Sequence, residues 1–225
     1  MAIHLQREIE RLKKQILTLS AVVEENVQKA VKAISERDDR LANRVIDRDV
    51  EIDRMEVEVE EECLKTLALH QPVAIDLRFI IAVLKINNDL ERIGDLAVNI
   101  AERAIYLSHS ALVEVPFELP KMASLTQTML HRALDALVNL DTALASSVCA
   151  SDDEVDAMNR EMYTQIEQGI QRHPDQIDPL INLLAVSRQL ERIGDHATNI
   201  AQDVIYMIDG LIVRHRTEQY QPQGK

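Results

Sequence analysis

Two blocks of acidic and amide side chains recur 100 residues apart in this sequence, and together they offer the chemistry of a metal site. The block LERIGDLAVNIAERAIY at 90–106 returns as LERIGDHATNIAQDVIY at 190–206, with twelve of 17 positions identical. At 100° per residue, Glu91, Asp95, Asn99 and Glu102 form one stripe beside the apolar face of a helix. Such oxygen ligands suit hard cations such as Mg²⁺, Mn²⁺, Ca²⁺ or iron.

The second copy repeats the stripe, with Glu191, Asp195 and Asn199 in the same places and Gln202 where Glu102 stood. One helix rarely completes a coordination shell, so a second helix should contribute ligands. The preceding helix in each copy carries aspartates among its apolar positions, where an unpaired acid is costly. These further candidate ligands are Asp49, Asp53, Asp152 and Asp156.

A solvated surface is the simpler alternative for the stripe. Arg92 and Arg192 stand three residues before Asp95 and Asp195, so ion pairs along the helix could neutralise the acids without any metal. A helical scaffold that binds no metal is the limiting form of this alternative. Duplication favours metal binding, because the two copies have diverged elsewhere while the acidic stripe survives in both.

The elements that must position these residues are helices. All six prolines fall at 72, 116, 120, 174, 179 and 222, and the stretches between them show helical apolar spacing. We predict six long helices, at 3–36, 38–70, 73–108, 120–140, 141–172 and 178–212. Segment 109–119 is the expected linker, and the tail from Thr217 onward is expected to fray.

The duplication extends upstream of the stripe and defines the architecture. At an offset of 103 residues, Asp38, Asp49, Asp53 and Glu58 match acids of the second copy, and His70 matches His173. The predicted fold is therefore all-α, with two tandem three-helix bundles related by a pseudo-twofold axis. The expected units are residues 1–110 and residues 111–225.

Composition and charge narrow the class of protein. Aromatic residues make up only 3% of the chain and Trp is absent, which favours a core of aliphatic side chains on packed helices. The formal net charge of −13 disfavours binding to nucleic acid or to anionic lipid. Neither a signal peptide nor a spanning segment is evident, so we expect a cytoplasmic protein that meets the membrane only through partners. Nine acids and two bases occupy 47–62, where a cationic partner is expected.

Several other residues are interpreted as structural. Gly94 and Gly194 sit in mid-helix, where each costs ~1 kcal/mol relative to alanine, and we interpret them as sites of close helix packing. His196 projects away from the acidic stripe and is expected to pack rather than to bind metal. Cys63 and Cys149 are interpreted as small hydrophobic residues. The sequence shows no phosphate-binding glycine loop, no Ser-His-Asp set and no Cys pair, so we do not expect an enzyme.

The repeated LERIGD-xAxNIA block closely resembles the PhoU family of phosphate-uptake regulators. The stretch QPVAIDLRFIIAVLKINNDLERIGD at 71–95 and the closing YMIDGLIVRH at 206–215 extend this resemblance over nearly the whole chain. It implies a six-helix, two-bundle fold, usually homodimeric, that binds divalent or trivalent metal ions, with iron, zinc, magnesium and manganese as candidates. The ligands that it implies are Glu91, Asp95, Asn99, Glu191, Asp195 and Asn199.

The resemblance also implies partners and a role. Proteins of this family act as negative regulators of the phosphate-starvation response, as adaptors between the ATPase subunit of the phosphate ABC transporter and a membrane sensor histidine kinase. Two departures stand out: Gln202 replaces the Glu102 of the first copy, and the joint PDQIDP at 174–179 lacks the PVAIDLR signature. A carboxylate-bundle protein for metal storage or metal redox chemistry is the alternative function, although the Glu-x-x-His pairs of di-iron bundles are missing.

Overall fold

The computed structural model describes residues 2–111, 113 and 118–213, and in these the chain consists of helices joined by short turns and loops, without a strand. Its helices are α1 (Ala2–Glu36), α2 (Asp39–His70), α3 (Ala74–His109), α4 (Leu119–Asn139), α5 (Thr142–Cys149), α6 (Asp152–Arg172) and α7 (Ile177–Asp209). The predicted all-α class is confirmed. None of the helices described is long and apolar enough to cross a membrane.

Both units start their second helix with the same cap. The Asp38 carboxylate accepts a hydrogen bond of 2.9 Å from the backbone N–H of Leu41, and Asp141 accepts one of 2.9 Å from Leu144. Aspartate at this position satisfies a backbone donor that the first helical turn leaves without a partner. The repeat that is visible in the sequence is therefore also a repeat of local structure.

The predicted fifth helix, 141–172, is not continuous. It is interrupted after Cys149, where the N–H of Ser151 bonds to the carbonyl oxygen of Val148 at 2.9 Å, so that α5 and α6 replace one helix. The hydroxyl of Ser151 also donates to the carbonyl of Ser147, at 3.0 Å. Serine side chains compete in this way with the helical backbone, and three acids favour a new helix start at Asp152.

The joints lie close to their predicted positions. A single 3-10 turn, Pro174–Gln176, precedes α7, and α7 ends at Asp209, capped by Gly210, rather than at 212. Gly210 has a φ of 72° and donates its N–H to the carbonyl of Tyr206 at 2.9 Å, a common glycine cap. Part of the predicted linker, 112 and 114–117, and the tail from Thr217 lie outside the described residues.

α3 and α7 form the centre of the molecule as an antiparallel pair. Lys85 lies 3.0 Å from Asp203, whereas Arg103, further along α3, donates to Asn182 near the start of α7. Both helices bury equivalent positions, and Ile93 and Ile193 are fully covered near the point where the pseudo-twofold axis must pass. The pseudo-twofold relation expected from the repeat therefore places the two stripe-bearing helices side by side.

The remaining helices pack outside this pair. α1 and α2 complete the first three-helix unit around α3, and α4, α5 and α6 complete the second unit around α7. The apolar core runs continuously from Leu12 in α1 through α3 and α7 to Leu130 in α4. Since burial of aliphatic side chains is the main driving force for folding, the shared core fixes both units in one orientation.

Candidate functional site

Four carboxylates of the first unit face one another across α2 and α3. Asp49 and Asp53 lie on α2, and Glu91 and Asp95 lie one turn apart on α3. Burial, together with the negative charges of Asp53, Asp95 and Glu91, raises the pKa of Asp49 to about 6. Burial and the neighbouring Asp95 also raise the pKa of Glu91, against the opposing charge of Arg92. We call this group the first acidic cluster; it unites four predicted ligands.

Asp49 is the most constrained member of this cluster. Its Oδ1 atom is buried and has no hydrogen-bond partner in the described structure. Gly94 lies directly beside it: a Cβ there would lie 3.4 Å from Asp49 Oδ1 and 3.2 Å from Ile52 Cγ2. A buried carboxylate oxygen without a partner is costly, and a bound cation would remove that cost. Gly94 also packs closely against α2, as the sequence indicates.

The second unit repeats the arrangement on α6 and α7. The second acidic cluster consists of Asp152, Asp156, Glu191 and Asp195. Displacement of water by the packed helices, together with neighbouring charges, raises the pKa of Asp195 to about 6, although its side chain is still exposed to solvent. The charges of Glu191, Asp152 and Asp156 act in the same direction, and His196 opposes them. Although the predicted fifth helix is broken after Cys149, Asp152 and Asp156 of α6 still face Glu191 and Asp195 of α7.

A hydrogen bond to the first aspartate of α6 distinguishes the second cluster from the first. Thr198 donates its hydroxyl to Asp152 Oδ1 at 3.2 Å, whereas valine occupies the matching position 98 in the first unit. Asp152 Oδ1 therefore has a hydrogen-bond donor within the protein, whereas the equivalent atom of Asp49 has none in the described structure. Arg92 reaches both Glu91 and Asp95 at 3.4 Å, so part of the ion pairing expected for a solvated surface is present as well. Exposed pairs of this kind contribute little, about 0–1 kcal/mol each.

The asparagines of the two stripes follow the paired acids by one helical turn. Asn199 lines a polar cleft of about 850 Å³ together with Asp152, Asp195 and Thr198. Asn99 is half-buried, and Glu102 is exposed at the end of its stripe. Among the described residues, no group of three or more His, Cys, Asp or Glu side chains is close enough to hold an ion as these side chains stand. Ligation would therefore require side-chain rotation toward a common centre.

Sequence reasoning missed Asp89, a buried residue at the seam between the units. Asp89 Oδ1 lies 2.7 Å from His196 Nδ1 and accepts a longer bond, 3.4 Å, from the Asn199 amide. His196 is thus partly buried, as expected, but it joins α7 to α3 through a polar contact rather than by apolar packing alone. Position 189 of the second copy holds glutamine, so comparing the repeats gave no sign of Asp89. The antiparallel pairing of α3 and α7 is what brings Asp89 opposite His196, so the contact could be found only once that pairing was known.

The cysteines are not reactive groups. Burial raises the pKa of the Cys63 thiol to about 12 and that of Cys149 to about 11, so both remain neutral at physiological pH. Their predicted role as small hydrophobic residues agrees with these values. The two acidic clusters therefore remain the candidate sites: in each unit, two aspartates of one helix face a glutamate and an aspartate of the next.

Comparison with known proteins gives the family. The PhoU domain model matches residues 16–104 and 119–204, one match in each unit. A PhoU homolog of Pseudomonas aeruginosa is 40% identical over 92% of this chain and 86% of its own length. One from Aquifex aeolicus is 36% identical over 93% of this chain and 95% of its own length. Both are described as phosphate-specific transport system accessory proteins.

Solved structures agree with this result. The crystal structure of PhoU from Pseudomonas aeruginosa matches with a TM-score of 0.88 at 39% identity, covering 92% of this chain and 99% of that chain. The phosphate transport system regulatory protein PhoU from Streptococcus pneumoniae matches with a TM-score of 0.82 at 30% identity, over 93% and 99%. Sequence, repeat structure and fold lead to the same assignment: the chain belongs to the PhoU family.

Proposed function

We propose that this protein is a regulatory accessory protein of phosphate transport and that it represses phosphate uptake and starvation signalling when phosphate is plentiful. The observation that carries the proposal is the family match in both helical units, together with relatives that are described as accessory proteins of the phosphate-specific transport system. Such a protein acts by binding other proteins. We propose it as a cytoplasmic adaptor and not as an enzyme.

The proposed partners are the ATPase subunit of the phosphate ABC transporter and a membrane sensor histidine kinase, with a homodimer as the proposed assembly. These follow from the family resemblance of the sequence. The acidic surface supports contact with proteins rather than with nucleic acid, since the net charge of −13 repels phosphate backbones. It also supports reaching the membrane through a partner, because anionic lipid headgroups repel the same charge.

We further propose that each acidic cluster holds a metal ion. The residues present fit a hard cation in two respects: the donors are all oxygens, and the buried Oδ1 of Asp49 has no protein partner. Asp49, Asp53, Glu91 and Asp95 would hold the ion in the first unit, with Asn99 and Glu102 as outer candidates. In the second unit the holding residues would be Asp152, Asp156, Glu191, Asp195 and Asn199.

A bound ion would supply positive charge to a surface that otherwise repels acidic partners. The chain's own contribution would be to fix two aspartates of one helix opposite two acids of the next, so that the ion bridges both helices. Mg²⁺, Mn²⁺, iron and zinc are the candidates, and the oxygen-only donor set favours the first three. Ion binding would also relieve the mutual repulsion of the clustered carboxylates.

Complementation tests the regulatory role. In a bacterial strain that lacks its own PhoU proteins, the chain should restore repression of alkaline phosphatase in phosphate-rich medium. Unchanged, high phosphatase activity with the protein expressed and folded would contradict it. Direct binding of the purified ATPase subunit and of the kinase's cytoplasmic part, each measured by biolayer interferometry, tests the adaptor role separately.

Titration calorimetry with Mn²⁺ tests the metal proposal. A double variant, Glu91→Gln with Asp95→Asn, should lose most of the heat from one of two sites. The matched control, Glu10→Gln with Asp175→Asn, changes two exposed acids outside the clusters and should titrate like wild type. Equal heats from all three proteins would contradict metal binding at the clusters. Oxygen or peroxide consumption by the iron-loaded protein would instead favour the storage or redox alternative.

A further inference from the structure

The outward face of α2 carries a row of exposed aliphatic side chains. Val50 is 74% exposed, Val57 48% and Leu64 54%. They are spaced seven residues apart, so they line up on one side of the helix over about 21 Å. Single exposed hydrophobic residues are ordinary on protein surfaces, but an aligned row at heptad spacing has the pattern of a seam between two helices. We call these three residues the α2 stripe.

The α2 stripe does not belong to the core of the protein. The core face of α2 is formed by Val45, Ile52, Val59 and Cys63, all 0–1% exposed. On a helical wheel these residues lie roughly opposite the stripe. The stripe therefore points away from α1 and α3, which cover the other sides of α2, and nothing in the described fold packs on it.

The second unit shows that the fold has no need of the stripe. At the offset of 103 residues, the matching positions on α6 are Asp153, Arg160 and Glu167, and all three are exposed. Two helices with the same place in the same fold thus differ at the three outward positions: one is apolar and one is charged. The apolar row is specific to the first unit, which indicates a binding role and not a folding role.

Charge identifies what fits the α2 stripe. Exposed acids border it, among them Asp47, Glu60 and Glu61. The bases beside it are engaged within α2 itself, as Arg54 lies 3.4 Å from Glu58 and Lys65 lies 3.3 Å from Glu62. A second copy of this face or an anionic lipid surface would meet repulsion here. A helix with an apolar side and basic flanks meets both apolar contact and attraction.

We propose that the α2 stripe is the docking surface for a basic amphipathic helix of a partner protein. The partner helix would lay its apolar side on Val50, Val57 and Leu64 and would pair its Lys or Arg side chains with the bordering acids. The stripe borders the first acidic cluster on the side of Asp53, so a helix docked here lies beside that cluster. The proposal rests on the proposed function only in assuming that the protein acts through a partner, and it requires no metal.

Fluorescence anisotropy with two labelled helical peptides tests the proposal, with the full chain in EDTA. Both peptides have about 20 residues and the same heptad Leu/Ile face, but one carries Lys and Arg on its flanks and the other carries Glu. The basic peptide should bind wild type and the acidic peptide should not. The triple variant V50D/V57R/L64E, which installs the residues of the second unit, should weaken binding by about tenfold or more. Binding should also weaken as salt is added, because ion pairs contribute to it.

A matched variant controls for general effects of charge. The triple variant I212D/V138R/I181E alters side chains that are 74%, 48% and 50% exposed elsewhere and makes the same change in charge. It should bind the basic peptide like wild type. Equal loss in both triple variants would overturn the proposal, as would preference for the acidic peptide. Loss of self-association in V50D/V57R/L64E by sedimentation, or stripe-dependent flotation with phosphatidylglycerol vesicles, would assign the surface to another occupant and overturn it as well. Failure of the phosphatase test leaves this result unaffected, since the peptide assay uses neither transporter nor metal.

Discussion

Replacing Asp49 by asparagine should stabilise the metal-free protein at neutral pH. The pKa of Asp49 is about 6 in the folded chain, against 3.8 for an ordinary aspartate, first because of burial and then because of Asp53, Asp95 and Glu91. A raised carboxyl pKa means that the folded state holds the proton more tightly than the unfolded state. The free energy of unfolding must then fall as the pH rises from about 4 to about 6, and asparagine, which cannot ionise, avoids this loss.

The two pKa values of Asp49, about 6 and 3.8, differ by about 2 pH units. At 1.36 kcal/mol per unit the ceiling is about 3 kcal/mol. The carboxyl group is only half-buried, so solvent screening reduces the effect, and we expect a gain of ~1 kcal/mol for Asp49→Asn above pH 7. For a protein of this size, that corresponds to a rise in Tm of about 2–4 °C.

Urea unfolding in EDTA at pH 7.5 and pH 4 measures this difference. The gain should be present at pH 7.5 and should largely vanish at pH 4, where Asp49 is protonated in the folded wild type. Asp47→Asn, an exposed acid on the same helix, should change stability little at either pH. With Mn²⁺ added, the wild type should become more stable than Asp49→Asn, since only the wild type keeps the full proposed site. A destabilised Asp49→Asn in EDTA, or a gain that is equal at both pH values, would refute the reasoning.

Five further substitutions, at four positions, give results that unfolding experiments can check. Gly194→Ala should stabilise by up to ~1 kcal/mol, because its new Cβ would meet neighbours at 3.7–3.8 Å, whereas Gly94→Ala, whose Cβ would meet Ile52 at 3.2 Å, should gain less or lose stability; equal gains would contradict the packing argument. Asp89→Ala should cost about 1–3 kcal/mol, because it removes the buried acceptor of the His196 contact, and Asp89→Asn should cost less. Gly210→Ala should destabilise by about 1 kcal/mol, since this cap has a positive φ, and unchanged stability would show that the cap can rearrange.

The repeat made most of the fold predictable. Apolar spacing located the helices, and the doubled block fixed which helices are equivalent, so that the pseudo-twofold arrangement followed without any structural information. The break between α5 and α6 was not predicted because its cause is local. The hydroxyls of Ser147 and Ser151 bond to backbone carbonyls, while the apolar periodicity on either side continues unchanged. Periodicity reports which side of a helix is covered, and it does not report whether the backbone is continuous.

The repeat also made the positions of the acidic clusters predictable, but it did not predict the contacts between the two units. Matching positions in two copies placed Asp49 and Asp152 opposite the stripe, and both lie there. Contacts between the units are different, because Asp89 meets His196 across the seam and neither residue has a like partner in the other copy. Comparison of the repeats identifies the residues that the two units share, and it does not identify the contacts between the units.

The differences between the units indicate a division of roles on a shared fold. Thr198 satisfies Asp152, whereas valine leaves the Asp49 oxygen without a partner, so the proposed ion would remove a larger cost in the first unit than in the second. Gln202, which stands in the second unit where the first has Glu102, also gives the stripe of the second unit one negative charge fewer. The α2 stripe is also confined to the first unit. Because all three differences act together, we expect ion binding and partner docking to depend more on the first unit, and the second unit to contribute mainly through the core that it shares with α3.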